Sequence, residues 1–269
     1  MRSIMLDSPV SAYMRSPVFS IEAGASLDET LERMERHAVS SLAVSDNGNP
    51  LAGVVTRTDL LAVGNVDLDT DNGGLRIFFP DKKVREVASP NMVLVDPEVD
   101  TVRVAAERMT ESRVHRVFAA KGAHLYGVFS TRDALRALAD ARVDRPISEV
   151  MSTPIETVSV RAPIDESVDR LRNAHVSGLV VVDAHGSPVG IFTQKEALES
   201  RGFFSIHRVE RVMSRRVISV AATTAIHLAA AQAYSTGAKH AVVVGQKGEV
   251  VGIASGLDFA RAAVLGAAR

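Results

Sequence analysis

No cysteine occurs anywhere in the chain, which removes disulfides, thiolate metal sites and a cysteine nucleophile together. That absence fits a reducing compartment. Aromatic residues are scarce at 4%, leaving few platforms on which bases could stack. Neither sign of charge is in excess: 31 Lys and Arg stand against 32 Asp and Glu, for a formal net charge of −1. This balance argues against nonspecific nucleic-acid binding and against attraction to anionic lipid, although local basic spots remain compatible with it. No segment approaches the ~18 consecutive apolar residues of a membrane helix. The opening residues Met1 to Asp7 have no long apolar stretch behind them, so a secretory signal is not expected and a cytoplasmic protein is. Gly-Lys-Ser/Thr and GxGxxG are both missing, which excludes the usual phosphate-loop and dinucleotide fingerprints. His37, His124, His175, His185, His207 and His227 show no HExxH or paired-ligand spacing, and no metal is expected.

What is present is a repeat. Hydrophobic residues make up 46% of 269 positions, enough for a substantial core. Four segments share a glycine, two mostly apolar residues, a hydroxyl, two variable residues and an acid. They begin at Gly53, Gly127, Gly190 and Gly252, spaced by 74, 63 and 62 residues. A second marker opens each unit: Met14-Arg15-Ser16-Pro17, Ala88-Ser89-Pro90, Met151-Ser152-Thr153-Pro154 and Met213-Ser214-Arg215. Its spacings are the same 74, 63 and 62, so two independent markers move together and a duplication explains both. The surplus in the first interval falls on Gly64 to Ile77, rich in Gly, Asp and Asn, and reads as a surface insertion.

Each unit has a legible order. A short extended run such as Thr157 to Val160 or Val217 to Val220 follows the opening marker. A helix then starts: Ser26 and Glu29 have capping-box spacing, Asp100 and Thr224 lie near the equivalent place, and Pro163 suits a first turn. Apolar residues recur at helical period in Leu27, Leu31 and Met34 and in Val102, Ala105, Ala106 and Met109. A buried strand follows, such as Leu179 to Val182 or Ala241 to Val244. A Gly-containing turn and a second strand complete a hairpin, and a closing helix begins at the acid. The unit is β-α-β-β-α, too small to bury much alone, so units are expected to pair sheet against sheet.

The order of elements, the Met-x-x-Pro opening, the apolar-Val-x-Asp-x-x-Gly hairpin and the Gly-apolar-x-[Ser/Thr]-x-x-Asp close resemble the CBS domain, named after cystathionine beta-synthase. The units run over 10–64, 84–140, 147–201 and 209–264. The resemblance implies an α/β (α+β) fold of four CBS repeats paired into two pseudo-twofold Bateman modules. It also implies clefts for adenosine-containing ligands: AMP, ADP, ATP or S-adenosylmethionine. The domain count is similar to that of the gamma subunit of AMP-activated kinase.

Chemistry at the closing marker has two readings. A Ser or Thr before a helix with Asp three residues on is usually an N-cap. The same helix start also offers free N–H groups to an anion, while the carboxylate can accept from a ribose diol. The pattern [Ser/Thr]-x-x-Asp occurs only at Thr56/Asp59, Ser130/Asp133 and Ser255/Asp258, each time in the repeat slot. By the resemblance, Asp59, Asp133 and Asp258 are expected to hold ribose, with Thr56, Ser130 and Ser255 as hydroxyl partners. Repeat three has Thr193 with Glu196, whose extra methylene would carry its carboxylate about 1.5 Å too far. Arg57 and Arg132 lie between hydroxyl and acid and suit a phosphate. His115-Arg116 resembles the His-Arg pair of the kinase gamma subunit, and Lys239-His240 falls in the same slot of repeat four. Ser41 and Gly178 bring repeats one and three no charge there.

These readings lead to a non-enzymatic regulatory protein, with no catalytic cofactor, that senses an adenine nucleotide and signals to a partner protein. A homodimer is one assembly this implies; closure of a disc by the four repeats of one chain is another. The alternative is a ligand-free CBS scaffold for protein–protein interaction. An enzyme would need convergent catalytic groups, and the sequence displays none beyond carboxylates and His115 or His240.

Overall fold

A computed structural model describes residues 5–68, 75–174, 176, 178–200 and 207–266, with backbone alone at 65–68, 75–77 and 172. Four three-stranded sheets carry the four units. Unit one runs β1 (Ser20–Glu22), α1 (Leu27–Arg36), β2 (Ser41–Asp46), β3 (Asn49–Thr56) and α2 (Arg57–Val63). The inserted stretch then forms an antiparallel hairpin of β4 (Asn65–Leu68) and β5 (Leu75–Phe78), while residues 69–74 of the expected insertion lie outside the described residues. Unit two is β6 (Leu94–Val95), α3 (Val102–Glu111), β7 (Arg116–Lys121), β8 (His124–Ser130) and α4 (Thr131–Ala141). Unit three is β9 (Thr157–Ser159), α5 (Ile164–Asn173), β10 (Gly178–Val182), β11 (Pro188–Thr193) and α6 (Gln194–Glu199). Unit four is β12 (Val217–Ala221), α7 (Ile226–Thr236), β13 (His240–Val244), β14 (Val250–Ser255) and α8 (Gly256–Leu265). In each sheet the middle strand pairs parallel to the first and antiparallel to the third.

Helix starts follow local chemistry, with small departures from expectation. Ser26 accepts from the Glu29 amide at 3.1 Å, but the Glu29 carboxylate does not return the bond. Thr101 rather than Asp100 caps α3, because Asp100 accepts from the Asp96 amide and pairs with Arg108. Ala225 stands at the start of α7 without a side-chain cap.

Sheets pair face to face within each module. Val180, Ile191 and Val242 bury one another between units three and four, with Val217, Val244 and Val250 around them. In units one and two, Ala43 (opposite Val54) and Phe118 (opposite Val128) hold the places of Val180 (opposite Ile191) and Val242 (opposite Ile253). Burying a side chain of valine size is worth roughly 1.5–3 kcal/mol, so this face supplies what a lone unit lacks.

The two sequence markers meet across these pairs. Each opening segment leaves its own unit and bridges the last strand of its partner: Arg15 with Val128, Ser89 with Val54, Ser152 with Ile253, and Ser214 with Ile191. The bridges are two-way; Arg15 and Val128 exchange amide and carbonyl at 2.9 Å in both directions. The marker glycine lies under the incoming segment. A β-carbon on Gly190 would stand 2.6 Å from the Met213 sulfur, and one on Gly53 would stand 2.5 Å from the Ser89 carbonyl oxygen.

Helices join the modules along two unlike edges. Units two and four share one core, in which Ala134, Ala137 and Ala141 of α4 meet Ala229, Ala230 and Ala233 of α7. The approach is so close that a β-carbon on Gly256 would lie 2.8 Å from that of Thr131. Units one and three keep separate cores. Their edge, α2 against α6, carries Arg57 facing Glu35 at 3.7 Å and Glu199 at 3.8 Å. The contacts one–two, two–four, four–three and three–one close a ring within a single chain.

Candidate functional site

Hairpin register brings the candidate residues together at the ends where the closing helices begin. Thr56 lies opposite Ser41, Ser130 opposite Arg116, Thr193 opposite Gly178 and Ser255 opposite His240. In repeats one and two the helix amide after the hydroxyl reinforces this: Arg57 donates to the Ser40 carbonyl and Thr131 to the His115 carbonyl, both at 3.0 Å.

All four closing markers form the cap. In repeat one the Thr56 amide and hydroxyl both donate to Asp59 Oδ2, at 2.8 and 2.7 Å. Ser130 does the same with Asp133 Oδ2 at 2.9 and 2.6 Å, and Ser255 with Asp258 Oδ2 at 2.7 Å each. Glu196 reaches the same position despite its extra methylene. Its longer chain folds back, so that the Thr193 amide and hydroxyl both meet Oε2. The carboxylates of repeats two, three and four are buried, while Asp59 is only partly so. Since α2 and α6 have only seven and six residues, their dipoles add little at repeats one and three.

The cations converge from repeats two and four. Arg116 extends across its module: its guanidinium donates to Ser41 Oγ and to Ser40 Oγ, the latter at 3.3 Å. Burial draws its pKa down, opposed by the charge of Asp59. His115 is held below its ordinary value by burial, then by Arg116 and Lys239. Lys239 is lowered by burial and by Lys195, while Glu196 pulls the other way. His240 is pushed down to about 4 by burial, Lys239 and His115, against the pull of Asp258. His115 and Lys239 nevertheless keep exposed faces, so water reaches the group. Mutual repulsion of this kind favours an added anion.

A family model for the CBS domain matches residues 10–65, 84–140, 147–201 and 209–265. The chain belongs to the CBS domain family. Its four CBS repeats form two Bateman modules. Among solved structures, protein MJ1225 from Methanocaldococcus jannaschii, proposed as an archaeal homolog of g-AMPK, matches 94% of this chain and 99% of its own, with a TM-score of 0.73 and 17% identity. A conserved protein from Pyrococcus horikoshii covers 95% of this chain and 100% of its own, with a TM-score of 0.68 and 18% identity. Both likenesses concern the fold. An uncharacterized 33.4 kDa protein in a ribosomal RNA operon of Thermofilum pendens is 24% identical over 186 residues. That match covers 64% of this chain and 57% of the relative, so the chain matches little more than half of the relative's length.

Two expected phosphate ligands sit at edges between CBS repeats. Arg57 turns to Glu35 and Glu199. Arg132 donates to the Tyr234 carbonyl at 3.2 Å and lies 4.8 Å from the Tyr234 ring centre, which ties repeat two to α7. Both therefore hold interfaces in this structure. Three other histidines make structural contacts: His37 stacks on Phe19, His124 meets Tyr126 edge-on, and His227 pairs with the distant Val143 carbonyl. His175 lies outside the described residues. No cluster of three or more His, Asp or Glu suited to a metal, and no helix long and apolar enough to cross a membrane, occurs among the described residues.

The sequence reading missed three contacts on the acids. Arg15 Nε donates to Asp133 Oδ1 at 3.0 Å. Ser152 Oγ and Arg261 Nη2 each donate to Asp258 Oδ1 at 3.0 Å. Arg15 and Ser152 are the same position of the repeat, one residue past the opening methionine. The repeat spacing held that signal, but only the crossing of opening segments between repeats gives it meaning.

Proposed function

We propose that this CBS protein is a non-enzymatic sensor of phosphorylated adenosine ligands, with AMP, ADP and ATP favoured over S-adenosylmethionine. The observation that carries this is the convergence of His115, Arg116, Lys239 and His240 beside the repeat acids, with His115 and Lys239 open to water. A phosphate relieves their repulsion, whereas the sulfonium of S-adenosylmethionine adds to it. Arg116 offers a planar fork next to Thr56, Ser41 and Asp59, where a ribose and its phosphate would lie together.

Signalling then requires a ligand that prefers one arrangement of the ring over another. The edge between repeats one and three is the place for such a change, since it has no shared core and carries the partly exposed ion pair Arg57–Glu199. The ring closes within one chain, so self-association is not needed to complete it. The output is a surface read by a partner protein.

A thermal-shift series with AMP, ADP, ATP and S-adenosylmethionine tests this, on the wild type and on Arg116→Ala. Stabilisation by a nucleotide, weakened in the variant, is expected; a ligand at a hundred times its Kd stabilises by about 2.7 kcal/mol. A shift with S-adenosylmethionine alone would overturn the ligand class. No shift with any of them would leave the scaffold reading.

A further inference from the structure

The repeat acids differ in the acceptor capacity that the fold leaves them. An ionised carboxylate offers about four lone-pair sites. In every repeat the cap takes two of them on one oxygen. On Asp258 the second oxygen accepts from Ser152 and Arg261, which fills it. On Asp133 the second oxygen accepts from Arg15. Glu196 has its second oxygen 3.6 Å from the Lys195 ammonium. On Asp59 the second oxygen accepts no hydrogen bond among the described residues.

The difference originates in one position of the repeat. Arg15 and Ser152 enter from repeats one and three and reach the acids of repeats two and four. Ser89 and Ser214 occupy the same position in repeats two and four, yet each closes on its own turn, accepting from the Asn91 amide at 3.3 Å and the Arg216 amide at 3.4 Å. Asp59 and Glu196 therefore receive no donor from the paired opening segment. Arg261 is additionally anchored on the Val150 carbonyl, which fastens the clamp on Asp258 to repeat three.

We propose that the second residue of each opening marker gates the ribose acceptor of the paired repeat. Asp59 is the carboxylate open to a ribose diol, and Ser152 with Arg261 closes Asp258. A diol donates two hydrogen bonds; Asp59 has room for both on its second oxygen, Asp133 for one, and Asp258 for none. The inference rests on the reading of these acids as ribose acceptors and adds which of them is available. It also places the open acid next to Arg116, so that the best acceptor and the best phosphate donor share one cleft.

Equilibrium dialysis of AMP against the full chain tests it, comparing wild type, Asp59→Asn, Asp258→Asn and the double variant Ser152→Ala/Arg261→Ala. Wild type is expected to take up about one AMP per chain, with affinity lost about tenfold or more in Asp59→Asn and unchanged within about twofold in Asp258→Asn. The double variant is expected to raise uptake toward about two per chain. It leaves the cap of α8 untouched, so its result stands even where Asp258→Asn disturbs that helix. Equal losses in Asp59→Asn and Asp258→Asn, or unchanged uptake in the double variant, would overturn the gate while leaving the sensor. Absence of AMP uptake by the wild type would overturn both.

Discussion

Gly127 and Met14 touch across the first module so closely that a β-carbon on the glycine would lie 2.6 Å from the methionine sulfur. It would also stand 2.9 Å from the Arg15 carbonyl oxygen, part of a backbone bridge that cannot move aside. Gly127→Ala is therefore expected to destabilise the chain by roughly 1–3 kcal/mol, the usual cost of overpacking. Urea unfolding of the single variants and of Gly127→Ala/Met14→Ala checks it. The double variant should recover part of the loss, because the flexible sulfur is one of the two obstacles.

The two edges between modules should respond differently to mutation. Arg57→Ala removes partly exposed ion pairs at 3.7 and 3.8 Å and is expected to cost less than about 1 kcal/mol, an effect that fades in high salt. Ala137→Leu places three extra carbons in the close-packed core between repeats two and four and is expected to cost at least 1–3 kcal/mol, by the range for overpacked cores. Denaturation midpoints at low and high salt separate the two. Equal sensitivity to salt would contradict the assignment of one electrostatic and one apolar edge.

Stability should depend on acid pH through His240. Its pKa is near 4 in the fold against 6.5 for the free side chain, so the unfolded chain binds the proton first as pH falls. The neutral form contributes its full share above about 6.5, and that share is lost as pH drops toward about 4. His240→Asn should flatten melting temperature against pH across this window. An unchanged profile would place the titrating group elsewhere.

Nucleotide binding should reverse that trend locally. A phosphate beside His115 and His240 raises their proton affinity, so binding takes up protons. AMP affinity is expected to strengthen as pH falls below about 6.5, toward the value of about 4 that His240 has in the fold. Calorimetry in two buffers of different ionisation enthalpy would show the proton uptake directly, and its absence would remove the histidines from the phosphate's surroundings.

Much of the fold was legible because a duplicated chain repeats its own evidence. Gly53, Gly127, Gly190 and Gly252 marked the hairpins, and buried runs such as Leu179 to Val182 marked the central strands. The cap chemistry of Thr56/Asp59 and its counterparts was equally local, and each formed. Long-range geometry was not legible. Nothing near Arg116 in sequence announces that its guanidinium crosses to Ser40 and Ser41 of another repeat. Arg57 and Arg132 have the residue type a phosphate needs, yet Glu199 and Tyr234, far along the chain, engage them first. Glu196 shows a milder failure: counting methylenes ignored the freedom of a longer side chain to fold back onto its cap.

The crossing of opening segments has a consequence for how such a chain can grow or be divided. Each repeat lends its first residues to a partner and receives the partner's in return, so a repeat cut out alone would miss a bridging segment on β3, β8, β11 or β14 and leave a glycine notch unfilled. The pair is then the smallest unit whose seams close, and an odd repeat would carry an open one. Material can be spliced in between the loans without breaking them, as β4 and β5 were, after α2 and before the segment that Ser89 carries to Val54.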